Sequence, residues 1–335
     1  MSDQPHIPVM LPEVLAGLQA RDGGTYVDGT FGAGGYTRGI LEAADCRVLG
    51  IDRDPDVRET AGQMRRVYPG RFVFGFGPFS MMEDMIGMVN VPDVNGVVFD
   101  LGVSSIQLDQ AERGFSFQKD GPLDMRVARF GPTAADVVNG FEADELAAIF
   151  RIHGEERHAR RAAQAIVRAR QDEPITRTLQ LAGILSKAVG GKLGRRIHPA
   201  TRAFQGLRIY VNNELGELMR GLEAAERVLK PLGRLVVVAF HSLEDRIVKT
   251  FLRERAGLTG GRSRHQPETP PEREPSFSLM SRKALVVSER EAAENPRSRS
   301  ARLRVAIRTE HKPWPCGEGT VTGVPSYRRL EEIVQ

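Results

Sequence analysis

Apolar positions in this chain come as short, nearly continuous runs in two stretches, with helical periodicity filling the space between. Strands buried on both faces of a parallel sheet read as unbroken apolar runs, and amphipathic segments read as helices packed on the sheet. Five runs fit the first description: one ending Val27-Asp28, then Arg47 to Asp52, Arg71 to Gly75, Gly96 to Asp100, and Arg234 to Phe240. Helical segments are expected at Tyr36 to Ala44, at 55 to 67 behind Pro55, and at Asn213 to Leu229. Residues 6 to 19 read as an extended lead-in and a short amphipathic helix, placed to cover one edge of a cofactor site.

From about 106 to 200 the alternation stops and helical periodicity takes over, clearest in Asp144 to Phe150, Arg157 to Arg170 and Leu179 to Val189. The predicted layout is therefore an α/β, Rossmann-like domain split over 1–105 and 201–310, an inserted, mostly helical domain over 106–200, and a tail over 311–335. Residues 256 to 280, rich in proline and glycine, read as a mobile surface loop. Ala284 to Val287 and Leu303 to Ile307 are expected to close the sheet as an antiparallel pair.

Composition changes this picture little. With 41% hydrophobic and 27% charged residues the chain is of ordinary globular type. No apolar run approaches the roughly 20 residues needed to cross a bilayer, and the N-terminus lacks a secretory pattern, so no membrane is implied and the cytoplasm is the expected compartment. Two distant cysteines, Cys46 and Cys316, suggest neither a disulfide framework nor a metal site. Charge distribution says more. Residues 151 to 208 hold thirteen Arg or Lys against four acids, a net of +9 that leaves −5 for the rest of a +4 chain. Such an excess is the footprint of a phosphate-backbone partner, although solvated helix faces also carry charge.

The candidate chemistry gathers at strand ends. Asp28-Gly29-Thr30-Phe31-Gly32-Ala33-Gly34-Gly35 is a strand-to-helix turn of the kind that lets a cofactor lie against backbone N–H groups. Alone it does not say which cofactor. Asp52 ends the second run 24 positions after Asp28, the spacing at which nucleotide-binding α/β folds hold a ribose. Phe79 offers an aromatic face after the third run and Asp100 ends the fourth. In parallel α/β sheets all of these converge beyond the carboxyl ends of the strands. The glycines do not form G-x-G-x-x-G, and strand-end acids suit the sulfonium and ammonium charges of S-adenosyl-L-methionine better than a nicotinamide. Arg195, Arg196, Arg202 and Arg208 span an acid-free stretch and are candidates for RNA phosphates. His198 and His241 join them as RNA-binding candidates, although isolated histidines are more often structural. Phe115, Phe117 and Phe204 could stack on a base, with burial the commoner fate.

Several segments also resemble one known family. Ser104-Ser105, Gln107-Leu108-Asp109, Arg113-Gly114-Phe115-Ser116-Phe117 and Asp120 to Arg126 are similar to signatures of the bacterial MraW/RsmH family. The same holds for His198 to Gln205 with Arg208-Ile209 and Asn212, for Phe240 to Lys249, and for Asn295 to Ser300. The resemblance runs from His6 to about Arg308. It implies a class I S-adenosylmethionine-dependent methyltransferase sheet with an inserted helical domain. The implied activity is methyl transfer to N4 of a cytidine in the decoding region, the P site, of 16S ribosomal RNA. The implied partner is that RNA within the small ribosomal subunit or a late precursor. Its cofactor contacts would fall on Gly34, Gly35, Tyr36, Asp52, Phe79, Asp100 and Gln107, with Tyr36 standing where histidine is common. Asp100 is the candidate catalytic acceptor, although Asp-Leu-Gly-Val-Ser-Ser departs from the Asp/Asn-Pro-Pro-aromatic motif of many amino-methyltransferases. A non-catalytic RNA-binding assembly factor and a DNA amino-methyltransferase are the competing readings.

Overall fold

The computed structural model describes residues 8–89, 93–190, 197–258 and 273–317. It divides into two compact units, one running to Gly102 and resuming at Leu215, the other Val103–Glu214.

The first unit is built on eight strands: β1 (Thr25–Asp28), β2 (Arg47–Asp52), β3 (Phe72–Phe76), β4 (Val94–Asp100), β5 (Leu229–Ala239), β6 (Phe277–Leu279), β7 (Leu285–Val286) and β8 (Arg302–Arg308). Their order is β3-β2-β1-β4-β5-β8-β6, with β7 also on β8. Strands β1 to β5 pair in parallel and β8 runs antiparallel to β5 and β6. This is the class I methyltransferase form of the Rossmann-like sheet. Every residue of β1 is buried and most of β2 and β4 are, as the unbroken apolar runs require. The order reverses between β1 and β4, so their carboxyl ends flank the crevice where such sheets take ligands.

One expectation is corrected at the sheet's edge. The stretch read as a loop to residue 280 ends in a strand, because Phe277 is fully buried against Phe251, ring centroids 6.3 Å apart, and continues the sheet on β8. Residues 259–272 lie outside the described residues. The expected pair of Leu285–Val286 with β8 does form, but it is two exposed residues long.

The second unit is helical, with Ser105–Asp109, Ala134–Gly140, Ala143–Ile152, Ala159–Asp172, Thr178–Val189 and Thr201–Val211. Its core holds Leu146, Phe150, Ile166, Leu185, Phe204 and Leu207 among others. The unit is longer than the expected 106–200 and takes in the helix Thr201–Val211, whose Ala203, Phe204, Leu207 and Tyr210 are part of that core. Gly154 makes the join possible, since a Cβ there would lie 2.3 Å from the Arg202 carbonyl. Among the described residues no helix is long and apolar enough to cross a membrane.

Candidate active site

Strand β1 delivers Asp28 to the glycine turn, where it is almost wholly buried. Its Oδ1 accepts from the Thr30 N–H at 3.2 Å, and its Oδ2 accepts from the Thr37 N–H at 3.1 Å and hydroxyl at 2.8 Å. Burial still raises its pKa to about 6, against the pull of those bonds. Asp28 thus ties the turn to the first helical turn of Gly35–Ala43.

Asp52 ends β2 with both oxygens engaged by backbone. Oδ2 accepts from Gly32 N–H at 2.8 Å and Oδ1 from Asp54 N–H at 2.8 Å. Burial raises its pKa too. Each carboxylate oxygen has a second lone pair, so both can still accept from a ligand hydroxyl.

Asp100, at the end of β4, differs in kind. Its N–H donates to Thr30 Oγ1 at 2.6 Å, which pins the strand end to the turn. Its carboxyl is held near Tyr36, yet Oδ1 is buried without a hydrogen-bond partner. Burial, followed by the charges of Asp28 and Glu244, pushes its pKa up to about 8. Glu244, itself buried, accepts at Oε2 from the N–H groups of Phe240 at 2.8 Å and His241 at 3.3 Å. Three carboxyl groups therefore gather at the ends of β1, β4 and β5, with a raised pKa at two of them.

Tyr36 is buried in the helix Gly35–Ala43, and its hydroxyl donates to the Val9 carbonyl at 2.5 Å. Burial and the nearby acids hold that hydroxyl well above the usual phenol range, so it stays a donor. The lead-in is anchored from the other side by Glu291, whose Oε1 accepts from Met10 N–H at 2.8 Å.

The remaining cofactor candidates lie around the same turn and after β3. At Gly35 the room left by the missing Cβ is filled by Pro8, and at Gly34 by Met64 and Phe31, so a side chain at either position would clash. Gly32, at φ +50, is the open position of the turn. The half-buried Phe79 ring lies 4.7 Å from that of Phe99 and packs on Gly221. Its neighbour Ser80 is held by Glu217, which accepts from the Ser80 N–H and hydroxyl, each at 2.9 Å.

Gln107 belongs to the second unit. It closes a capping box, its Oε1 accepting from Ser104 N–H at 2.9 Å. His198 packs beside Phe117, ring centroids 4.7 Å apart, and its Nδ1 accepts from Ala200 N–H at 3.2 Å. Phe115 and Phe204 are buried, which removes them as base-stacking surfaces. Arg202 donates to the Glu155 carbonyl at 3.1 Å. Arg208 forms a two-pronged pair with Glu214, both contacts 2.9 Å, so its guanidinium is already committed. Arg195 and Arg196 lie outside the described residues. In the first unit His241 caps the helix Ser242–Arg255. A structural histidine there follows from the cap geometry.

Sequence reasoning did not single out Glu244 or Glu217 as parts of the site. His241-Ser242-Leu243-Glu244 carries a signal for the first, an acid three residues after the helix cap. Nothing local marks Glu217, which meets Ser80 from 137 positions away.

The model of the MraW methylase family matches residues 3–309. The chain belongs to that family. It is 57% identical over 332 residues to the ribosomal RNA small subunit methyltransferase H of Maricaulis maris, covering 99% of each chain. It is 56% identical to the enzyme of the same name from Caulobacter vibrioides, covering 94% of this chain and 99% of that one. For the Rhodospirillum rubrum protein of that name the identity is 54%, over 94% of this chain and 98% of the other.

In this member of the MraW methylase family, the sheet-end acids suit a cationic ligand. A buried carboxyl with a raised pKa is a group whose ionised form lacks a partner. A positive charge beside Asp100 and Asp28 would supply one.

Proposed function

We propose that this protein transfers a methyl group from S-adenosylmethionine to N4 of a cytidine in the decoding region of 16S ribosomal RNA, as part of the small subunit or a late precursor. The relatives' names support the ribosomal RNA of the small subunit as substrate. The observation that carries the chemistry is the buried, unpartnered Oδ1 of Asp100 beside Asp28 and Glu244.

Asp52 would hold the ribose hydroxyls of the cofactor, and the glycine turn, through Gly34 and Gly35, would admit the close backbone approach. Tyr36 and Phe79 are further contacts that the family resemblance implies on this sheet. When bound, S-adenosylmethionine supplies an electrophilic methyl group on a sulfonium. Asp100 does the rest of the work. Cytosine N4 is a weak nucleophile because its lone pair is delocalised into the ring. A carboxylate accepting its N–H localises that pair and takes the proton as the C–N bond forms. Burial beside Asp28 and Glu244 keeps the proton on Asp100 up to about pH 8. A neighbouring cation lowers that pKa, so the acceptor is generated when the methyl donor is in place.

The test is methyl incorporation from labelled S-adenosylmethionine into immature small subunits, followed by mass mapping of the RNA. Label at N4 of a decoding-region cytidine is expected. Label on another base or in DNA, or RNA binding without label, would reject the reading.

A further inference from the structure

The helix Ala159–Asp172 separates its two faces cleanly. Ala159, Ala162, Ala163 and Ile166 are buried in the helical core. On a helix of 3.6 residues per turn, Arg160, Arg161, Gln164 and Arg168 fall within about 100° of one another, opposite that buried stripe. All four are exposed, as is Arg157 just before the helix. Among the described residues none of these four arginines makes an ion pair, whereas Arg126, Arg177 and Arg208 of the same unit pair with Asp124, Asp120 and Glu214. On the adjoining helix Asp144 lines a recess with Arg160 and Gln164. Glu156 is buried and accepts the His158 N–H, and among the described residues no ion pair joins it or exposed Glu155 to the row.

We propose that Arg157, Arg160, Arg161, Gln164 and Arg168 form a docking face for the sugar-phosphate backbone of small-subunit ribosomal RNA. The choice of RNA rests on the function proposed above; the anionic character of the partner rests on the face itself. Unpaired guanidinium groups about one helical turn apart, spanning about 12 Å from Arg160 to Arg168 at 1.5 Å per residue, match a repeating anion. A protein partner would call for a different surface. Interface cores are rich in aromatic and apolar side chains, and the large hydrophobics exposed in this unit, Ile106, Phe130, Leu179 and Ile197, all lie off this helix. Arginine and glutamine are also the forms suited to bonding phosphate and sugar oxygens without reading bases. The face positions the RNA and leaves base choice to the site at the sheet ends.

The experiment compares wild type with a variant carrying Arg157→Gln, Arg160→Gln, Arg161→Gln and Arg168→Gln. Binding to naked 16S ribosomal RNA and to immature small subunits is measured over a salt series, with S-adenosylmethionine affinity measured in parallel. Each phosphate contact contributes about 0.7 to the slope of log affinity against log salt on single strands, so the slope should fall by roughly three while cofactor affinity is unchanged. The matching Arg→Lys set should keep most of the slope. An unchanged slope on both RNA probes overturns the proposal, as does a loss confined to binding of acidic proteins. If the fourfold variant melts early, the four single variants carry the test, each expected to remove about 0.7. Failure of methylation with a normal wild-type slope that the variant loses would count against the enzymatic reading and leave the docking face standing.

Discussion

At the carboxyl ends of the sheet, Asp28, Glu244 and Oδ1 of Asp100 are withdrawn from water, whereas on the helix Ala159–Asp172 the arginines keep their charge in it. The two regions therefore use charge differently. Desolvation makes each buried carboxylate depend on one particular partner at short range, and its pKa records whether that partner is present. Exposed guanidinium groups are individually weak, screened within about 8 to 10 Å, and effective only as a row against a polymer of opposite sign. The first arrangement suits chemistry at one atom and the second suits holding a large substrate.

The sharpest test of the buried side removes a partner that is already there. Arg255 and Glu226 are fully buried and paired at 2.9 Å, with Arg255 also stacked on Phe251 and Trp314. Arg255→Met removes the guanidinium from Glu226, which keeps the Trp314 N–H at Oε1 and the charge of nearby Arg308, and should cost about 3 kcal/mol in urea unfolding. A loss below about 1 kcal/mol would show that the remaining partners of Glu226 suffice and that burial costs an acid here less than its environment suggests.

Asp100→Asn comes next. Loss of the acceptor should lower turnover about 100-fold or more, with a smaller change in cofactor affinity. Weaker cofactor binding at unchanged turnover would reject a role in chemistry.

A pH series separates the regions without mutation. In the ligand-free protein Asp28 and Asp100 have folded pKa values of about 6 and about 8, above their unfolded values. Their contribution to stability is thus fully present below the unfolded value of 3.8 and is lost as pH rises from there through about 6 for Asp28 and about 8 for Asp100. Binding of the cationic cofactor favours the ionised acids, so its affinity should rise across that window, by at most tenfold per pH unit for each proton released, and level off above about pH 8. Asp100→Asn should abolish the upper part of the rise. RNA binding by the arginine face should show no such step.

The smallest effect concerns Arg208. Its bidentate pair with half-buried Glu214 predicts that Arg208→Gln costs about 1 kcal/mol in thermal stability and leaves the salt slope of RNA binding unchanged. A drop in slope equal to that of an Arg157→Gln variant would return Arg208 to the phosphate contacts.

Periodicity and strand-end chemistry were enough to read β1 to β5, the acids at 28, 52 and 100, and a helical, basic insertion, because unbroken apolar runs and helical spacing are local properties. The family motifs added a substrate that no local pattern contains. Tertiary structure decided the rest. Phe277 became strand and not loop because Phe251 buries it, and Thr201–Val211 joined the helical unit because Gly154 allows backbone contact. Pro8 and Met64 fill the space at Gly35 and Gly34, Phe99 and Gly221 pack on Phe79, and Glu214 occupies Arg208. Whether an arginine is paired, or a carboxylate stranded, depends on side chains brought together from distant positions. The sequence by itself therefore determined which residue types stand at each strand end and helix face, and packing alone determined which of them remain available to a ligand.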